Sequence, residues 1–434
     1  MARALMEDSK IPTASAQEGQ TVPEPFSHAS SFNSANTASS AVFPRVAYFP
    51  DSFHEINGVA HTSRHFEAFA RRRNLPFLCV RAGDREQPLK EEGRVSTLEL
   101  PRGMLSFALE KDLRLDPAFP RHVPLIEEAL ARFQPDLIHI TGPSEVGVTG
   151  AGLAHALGLP LAASWHTNVH EYAARRAEWF LRHLPTPAAA AAAHTIEDVS
   201  MTIAARFYSF AQVLFAPNAE LCAQLERSTG RRCFLMPRGV DADLFHPRKR
   251  TRAANDGERV LGFVGRLSVE KNVALLASVQ RELETMSVAG FHFLIIGHGA
   301  EDAWLRANLP RAELAGVLRG EALSTAYANM DLLVFPSHTE TFGNVVLEAL
   351  ASGVPAVVTP DGGPKSIVRD RQTGRIVADE GFAAAVAGIL ADPSEHASMR
   401  RAARAYAETA SWDAVFEGVY AAYQTILREK RAPE

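Results

Sequence analysis

Residues 331–368 read DLLVFPSHTETFGNVVLEALASGVPAVVTPDGGPKSIV. The stretch opens with the apolar run LLVF, which stops at Pro336; so short a run predicts a buried strand of a parallel sheet. Apolar residues then recur at helical spacing, and Gly353 and Pro355 stand where helices end. A second strand is predicted over residues 355–358. This order of strand, loop, helix and strand predicts an α/β fold.

The start of this helix is a predicted anion site. Gly343 and Asn344 would present free backbone N–H groups at the carboxyl edge of the sheet, where α/β proteins bind anionic ligands. The helix dipole adds ~0.3–1 kcal/mol of attraction for the anion. Glu340 and Glu348 bracket this point, and because carboxylates repel phosphate, we expect them to accept hydrogen bonds from hydroxyls. The pattern fits a nucleotide sugar, with the hexose at Glu340 and the ribose at Glu348.

Length and composition set broader bounds. A chain of 434 residues predicts two domains, and 46% hydrophobic with 22% charged residues is typical of a globular protein. The net charge of −5 argues against a dedicated nucleic-acid binder. Residues 1–41 are rich in Ser, Ala, Pro and Gln and predict a disordered tail. No apolar run is long enough to predict a transmembrane helix. The three cysteines, Cys79, Cys222 and Cys233, suggest a reducing compartment with buried, unreactive thiols.

Two glutamates with seven residues between them, within HTETFGNVVLEALASGVPAVVTPDGG, resemble the Glu-X7-Glu signature of family 4 retaining glycosyltransferases of the GT-B fold. The resemblance extends over about residues 45–425. It implies two Rossmann-like, doubly wound α/β domains that face each other across a cleft. The expected division is a tail over residues 1–41, an acceptor-binding domain over 42–238, a nucleotide-sugar domain over 239–410, and a helix over 411–434 that crosses back to the first domain.

The segment GRLSVEKN, residues 265–272, resembles the diphosphate site of the same family. A guanidinium binds phosphate oxygens in a fork, and a lysine acts as a point charge. Arg266 and Lys271 would therefore neutralise the diphosphate and the charge that develops on the leaving nucleotide, which implies a reaction without a metal or other cofactor. Exposed surface charges after a strand are the alternative interpretation.

The strand ending in Trp-His-Thr, residues 161–167, resembles the family segment whose histidine lies beside the transferred sugar. His166 would take that role. A buried structural histidine is one alternative, and a zinc pair with His170 is another, although no third ligand is evident. Asp241 and Asp243 form an Asp-X-Asp sequence, but it precedes an interdomain connector, and we reject a metal role for it.

Further positions follow from the resemblance. The catalytic residues it implies are His166, Arg266, Lys271 and Glu340. The donor-binding residues it implies are Gly58, Gly265, Arg266, Lys271, Gly297, Arg319, Glu340, Phe342, Gly343, Asn344, Val345 and Glu348. The turn that begins at Gly297 lacks the third glycine of a dinucleotide fingerprint, because Asp302 occupies that position. An NAD enzyme is therefore disfavoured.

The predicted function is metal-independent transfer of a hexose, with retention, from a nucleotide sugar to a lipid or oligosaccharide acceptor. The resemblance favours mannose from GDP-mannose. A UDP-sugar-dependent transferase, a nucleotide-sugar 2-epimerase and a non-catalytic binder remain alternatives. A basic, aromatic helical pattern over residues 172–184 leaves peripheral contact with the inner membrane face open for a protein predicted to be cytoplasmic, and no nucleic-acid partner is expected.

Overall fold

A computed structural model describes residues 43–55, 58–103, 106–110, 113–166, 199–253 and 257–431. Within these ranges the fold rests on two separate sheets, one formed by strands between residues 46 and 235 and the other by strands between residues 259 and 376. A small antiparallel hairpin accompanies the first sheet. Two α/β domains were expected from the length of the chain, from the strand and helix order of residues 331–368 and from the family resemblance, and the described residues confirm that architecture.

The first sheet has eight strands in the order β10-β9-β8-β7-β1-β2-β4-β3, all parallel except for β3, which runs antiparallel to β4 at one edge. The central strands are apolar on both faces because helices cover both sides. The strands and the hairpin β5-β6 are β1 (Val46–Phe49), β2 (Phe77–Gly83), β3 (Gln87–Glu92), β4 (Val95–Pro101), β5 (Phe107–Glu110), β6 (Leu113–Leu115), β7 (Leu137–Ile140), β8 (Leu161–Ser164), β9 (Val213–Ala216) and β10 (Arg232–Leu235).

Helices around this sheet begin and end where local chemistry satisfies their backbone. Ser144 caps α3 by accepting a hydrogen bond from the N–H of Gly147, and Asn218 caps α4 by accepting one from Leu221. Gly230 ends α4 in the left-handed conformation. The helices are α1 (Gly58–Arg72), α2 (Val123–Phe133), α3 (Glu145–Ala156) and α4 (Ala219–Thr229), and residues 199–208 are also helical.

The second sheet has six parallel strands in the order β13-β12-β11-β14-β15-β16. They are β11 (Arg259–Val264), β12 (Phe291–Ile296), β13 (Glu313–Gly316), β14 (Leu332–Phe335), β15 (Ala356–Val358) and β16 (Gly374–Ile376). The surrounding helices are α5 (Ala274–Thr285), α6 (Asp302–Asn308), α7 (Gly320–Asn329), α8 (Asn344–Ala351), α9 (Phe382–Ala391) and α10 (Pro393–Thr409). The predicted strand, loop, helix and strand of residues 331–368 are β14, α8 and β15 with the loop between them.

The last helix, α11 (Trp412–Arg431), packs on the first sheet although it follows the second domain in sequence. Phe416 stacks on Phe66 of α1 with ring centroids 4.4 Å apart, and Trp412 stacks on Phe416. Arg73 of the first domain forms an ion pair with Glu417. The helix that the sequence predicted to cross back to the first domain therefore completes that domain's core.

Among the described residues, none of the helices has the length and apolar character needed to cross a membrane. All three cysteines are free, with Cys79 and Cys222 buried and Cys233 partly buried.

We predict that Phe416→Ala lowers the free energy of unfolding by about 3–5 kcal/mol, because it leaves a cavity in a fully buried aromatic cluster. Urea unfolding followed by circular dichroism measures the change. Gly418→Ala in the same helix is the matched control: Gly418 is exposed, a Cβ there meets no atom within 4 Å, and alanine should stabilise the helix by about 0.5–1 kcal/mol. Equal effects of the two substitutions would contradict the packing described for α11.

Candidate active site

The carboxyl ends of the first sheet bring together side chains from distant parts of the sequence. Asp51 follows β1, Ser144 follows β7, His166 follows β8, Asn218 follows β9 and Arg238 follows β10. These strands are parallel neighbours, so the residues after them lie along one edge.

The second sheet presents the equivalent edge. Arg266 follows β11, Gly297 follows β12, and the loop that carries Glu340 follows β14. The two edges meet: the Asn218 amide donates to the carbonyl oxygen of Thr341 at 3.1 Å, and Lys365 pairs with Glu220 at 2.8 Å. The cleft between the domains is therefore bounded by both sets of strand ends.

Helix α8 starts at the predicted anion site. Gly343 is its N-cap with φ of +98°, a conformation that favours glycine, and a Cβ there would lie 2.9 Å from the ring of Pro364. No side chain caps this helix, so the N–H groups of its first turn have no side-chain acceptor. Phe342 is buried beneath the turn, while Asn344 and Val345 are partly exposed.

Lys271 and Glu340 form an ion pair across this site. The two side chains are 18% and 25% exposed, which leaves both within reach of a ligand. The neighbouring Thr339 hydroxyl donates to the carbonyl oxygen of Glu270 at 3.3 Å and holds the two loops together. The sequence predicted separate roles for the Lys271 ammonium and the Glu340 carboxylate. The structure brings these two groups into direct contact, and Glu340 lies three residues before the start of α8 at Gly343.

Arg266 is more loosely held. Its side chain is 66% exposed, and its guanidinium lies 3.9 Å from Glu270. The turns at Gly265 and Gly297 pack against each other, since the N–H of Leu267 donates to the carbonyl oxygen of His298 at 3.1 Å. Arg319 is exposed, and its side chain contacts no described residue through a hydrogen bond or an ion pair.

Glu348 lies one turn inside α8 and accepts a hydrogen bond from the Tyr327 hydroxyl at 2.9 Å. Burial raises the pKa of Glu348 to about 7, although the Tyr327 hydroxyl acts in the opposite direction. The hydrogen bond occupies Oε2 and leaves Oε1 without a partner among the described residues. This carboxyl group can therefore accept from a ligand hydroxyl.

His166 is buried and is the end of a chain of hydrogen bonds. Its Nε2 lies 2.7 Å from the Ser164 hydroxyl, which lies 3.0 Å from Nε2 of His139, and Nδ1 of His139 contacts the Tyr423 hydroxyl of α11. Burial, followed by the charge of Arg238, lowers the pKa of His166 well below its ordinary value. The imidazole is therefore neutral at physiological pH.

A second histidine, His338, fixes the loop that carries Glu340. Its Nδ1 lies 2.9 Å from Asp361 and its Nε2 lies 3.1 Å from Asp379. These carboxylates outweigh the effect of burial and raise the pKa of His338. Sequence reasoning missed His338, Tyr327 and Asp361, because each acts through a partner far away in the chain.

The Asp-X-Asp sequence has a structural role. Asp241 accepts hydrogen bonds from the N–H groups of Asp243 and Leu244, at 3.1 and 2.9 Å, and so shapes the turn into the second domain. Within the part of the chain that the structure describes, there is no group of three or more His, Cys, Asp or Glu residues arranged to hold a metal ion.

Some predicted features fall outside the described residues. They are the tail over residues 1–41, His170, and the basic aromatic pattern over residues 172–184. Gly58 itself is exposed at the start of α1, and a Cβ there would meet no atom within 4 Å.

Two Rossmann-like domains that face each other across a cleft are the arrangement of GT-B glycosyltransferases. A solved structure of sucrose-phosphate synthase from Thermosynechococcus elongatus matches with a TM-score of 0.67 and 18% identity, over 88% of this chain and 99% of that one. This likeness establishes the fold.

Family models and relatives define the family. The model described as "Glycosyltransferase Family 4" matches residues 56–244, and that described as "Glycosyl transferases group 1" matches residues 258–392. A GDP-mannose-dependent alpha-mannosyltransferase of Mycolicibacterium smegmatis is 30% identical over 398 residues, which cover 88% of this chain and 98% of that protein. A sulfoquinovosyl transferase of Arabidopsis thaliana is 33% identical over 261 residues, 58% of this chain and 48% of that protein. The chain belongs to the family 4 glycosyltransferases and is a glycosyltransferase enzyme.

We predict that Glu348→Gln changes stability in a pH-dependent way. The pKa of Glu348 rises from 4.5 to about 7 on folding, so the folded protein binds the extra proton between these values and loses stability as the pH rises through about 7. Glutamine removes this loss. The difference in free energy of unfolding between the variant and the wild type, measured with urea, should therefore shift in favour of the variant by about 1–3 kcal/mol from pH 5 to pH 8.

Glu282→Gln on the exposed face of α5 is the control and should leave the pH dependence of stability unchanged. If Glu348→Gln altered stability equally at both pH values, the described environment of Glu348 would be wrong.

Proposed function

We propose that this protein transfers a hexosyl group from a nucleotide sugar to a lipid or glycan acceptor with retention of the anomeric configuration, and that GDP-mannose is its donor. The observation that carries the proposal is the Lys271–Glu340 ion pair beside the uncapped start of α8. This arrangement sets a cation, an acceptor of hydroxyl hydrogen bonds and a helix dipole around one small volume. The similarity to a GDP-mannose-dependent mannosyltransferase over nearly its whole length supports the choice of donor.

The diphosphate binds to Lys271, to Arg266 and to the N–H groups at Gly343 and Asn344. The exposed Arg266 side chain has the freedom to close on the phosphate oxygens in a forked geometry. When Lys271 turns to the diphosphate, Glu340 becomes available to the hydroxyls of the hexose. Glu348 accepts from the ribose hydroxyls through its unpaired Oε1. Each charge-assisted contact contributes about 1.5–3 kcal/mol.

Transfer proceeds on one face of the sugar. The bond from the anomeric carbon to the diphosphate oxygen breaks as the bond to the acceptor oxygen forms on the same side, and the acceptor proton passes to the leaving phosphate oxygen. Arg266, Lys271 and the helix dipole stabilise the charge that develops on the diphosphate. A double displacement is disfavoured, because the family pattern supplies no carboxylate that is well placed to act as the nucleophile.

His166 contacts the transferred hexose from the first domain. Its neutral imidazole adds no charge to the cleft, and because Nε2 is bonded to Ser164, Nδ1 is the ring nitrogen left for the hexose hydroxyls. Because His166 and Glu340 belong to different domains, both reach the sugar only when the cleft is closed around the donor.

A UDP-sugar donor is the second candidate, and the match to a sulfoquinovosyl transferase over 261 residues supports a sugar other than mannose. A nucleotide-sugar 2-epimerase and a non-catalytic binder are disfavoured, because the cations expected for the diphosphate and both acids expected for the hydroxyls are present. Residence in the cytoplasm with peripheral membrane contact remains part of the proposal for a lipid acceptor.

We predict that Glu340→Gln and Lys271→Ala each reduce transfer from GDP-mannose about 10- to 100-fold while the fold is retained. The reason is that each substitution removes a charged contact to the donor. Radiolabelled GDP-mannose incubated with a membrane lipid extract gives the rate, and circular dichroism verifies the fold. Exposed Glu282→Gln should keep full activity. Full activity of Glu340→Gln or Lys271→Ala would refute the proposed site.

The same assay separates the candidate functions. Thermal-shift screening of GDP, UDP and ADP identifies the base. Proton NMR of the product gives its anomeric configuration, and incubation with donor alone reveals any epimer. Epimer formation without transfer, or an inverted product, would overturn the proposal.

A further inference from the structure

His338 lies where several loops of the second-domain wall meet. It belongs to the loop between β14 and α8, two residues before Glu340. Its Nδ1 lies 2.9 Å from Asp361, which follows β15, and its Nε2 lies 3.1 Å from Oδ1 of Asp379, which follows β16. The same Nε2 lies 3.4 Å from the side-chain nitrogen of Asn272, before α5. One imidazole therefore contacts three segments besides its own.

Asn272 connects this imidazole to the lysine of the site. It directly follows Lys271 and has a φ of +50°, a left-handed conformation in which asparagine is enriched. Its side-chain nitrogen donates to Oδ2 of Asp379 at 2.9 Å. The Asp379 carboxylate is therefore contacted on one oxygen by the ring beside Glu340 and on the other by the amide beside Lys271. Both members of the Lys271–Glu340 ion pair are attached to this network.

Two carboxylates that face one imidazole favour the charged ring. A neutral imidazole has a single N–H and can donate to one carboxylate, whereas an imidazolium has two N–H groups. Burial lowers the pKa of His338, but Asp361 and Asp379 outweigh burial and raise it above 6.5. Lys271, Glu270 and Glu340 are the other charged groups on the adjoining loops, and the two aspartates are the ones that act on this pKa.

Loss of the proton changes the partner of Nε2. The bare nitrogen presents a lone pair to Oδ1 of Asp379, an atom that is buried and forms no hydrogen bond with the described residues. That contact is repulsive, while the amide of Asn272 becomes a possible donor to the same nitrogen. The link between the loop of Glu340 and the turn after β16 is then weakened.

We propose that His338 is a positioning residue: its charged form holds Lys271 and Glu340 in the arrangement that binds the donor, and donor binding weakens when the ring becomes neutral. The inference rests on the proposed function, which assigns Lys271 to the diphosphate and Glu340 to the hexose hydroxyls. His338 acts through Asn272 and through its own loop, without contacting the donor. The donor site is thereby made sensitive to pH.

The expected effect has a definite sign. Because the pKa of His338 is raised on folding, the contacts of the charged ring are fully present below about pH 6.5 and are lost as the pH rises through the folded value. Glu348, whose pKa burial raises to about 7, and the terminal phosphate of GDP also lose protons in this range. Both become stronger ligand groups as they do so, and their effects cancel when a His338 variant is compared with the wild type.

The test is calorimetric titration of the full-length protein with GDP between about pH 6 and about pH 9. The dissociation constant of the wild type, divided by that of His338→Gln, should rise about three- to tenfold over this range, which corresponds to about one hydrogen bond. Asp379→Asn removes one of the two carboxylates, so the midpoint of the rise should move to lower pH. His155→Gln, on the exposed surface of α3, is the matched control and should keep the wild-type profile.

Urea unfolding without nucleotide gives a second, independent measurement. The wild type should lose stability relative to His338→Gln as the pH rises over the same range, because glutamine does not titrate. The proposal is overturned if the ratio of GDP dissociation constants stays constant, if Asp379→Asn leaves the midpoint unchanged, or if His338→Gln lowers stability equally at every pH, as a purely structural ring would. Failure of GDP to bind the wild type would instead refute the proposed donor; UDP then takes its place in the titration, and the unfolding measurement still reports on His338.

Discussion

Parallel strands end on the same edge of their sheet, and this constraint organises the whole molecule. Residues separated by almost two hundred positions, such as Asp51 and Arg238, follow strands of one sheet and therefore share one wall of the cleft. The second sheet obeys the same rule and supplies Arg266 and Glu340. The contacts of Asn218 with Thr341 and of Glu220 with Lys365 bring these walls together. Chemistry is thereby confined to loops, while the strands provide rigidity.

The division of charge between the walls gives each domain a different task. The second domain carries an exposed Arg266 and a partly exposed Lys271 that is paired with Glu340. The first domain carries buried, neutral or singly bonded groups, such as His166 and Arg238. In the proposed function, exposed side chains of the second domain bind the donor and buried ones of the first domain orient it.

Sequence reasoning succeeded where the information is local. The apolar run of β14 and the glycine before α8 are each encoded within a few residues, and the structure has them where the pattern predicted. It missed β10 and β13, which are short and carry charged residues such as Arg232 and Glu313. It also missed the partners of the site residues, because the contact of His338 with Asp379 and that of His139 with Tyr423 depend on tertiary packing that no spacing reveals. The roles of the site residues remain predictions.

The hydrogen bonds that link Tyr423, His139, Ser164 and His166 depend on one another in which atom donates and which accepts. A neutral imidazole has one N–H and one lone pair, and a serine hydroxyl has one proton and two lone pairs, so the direction of one bond limits the others. If Nδ1 of His139 donates to Tyr423, Ser164 must donate to Nε2 of His139, and its oxygen then accepts from Nε2 of His166. If Tyr423 donates instead, the Ser164 proton is free to reach Nε2 of His166, which leaves the hydrogen of that ring on Nδ1. The carboxy-terminal helix, through Tyr423, thereby restricts which ring nitrogen of the cleft histidine bears hydrogen, although the two side chains do not touch.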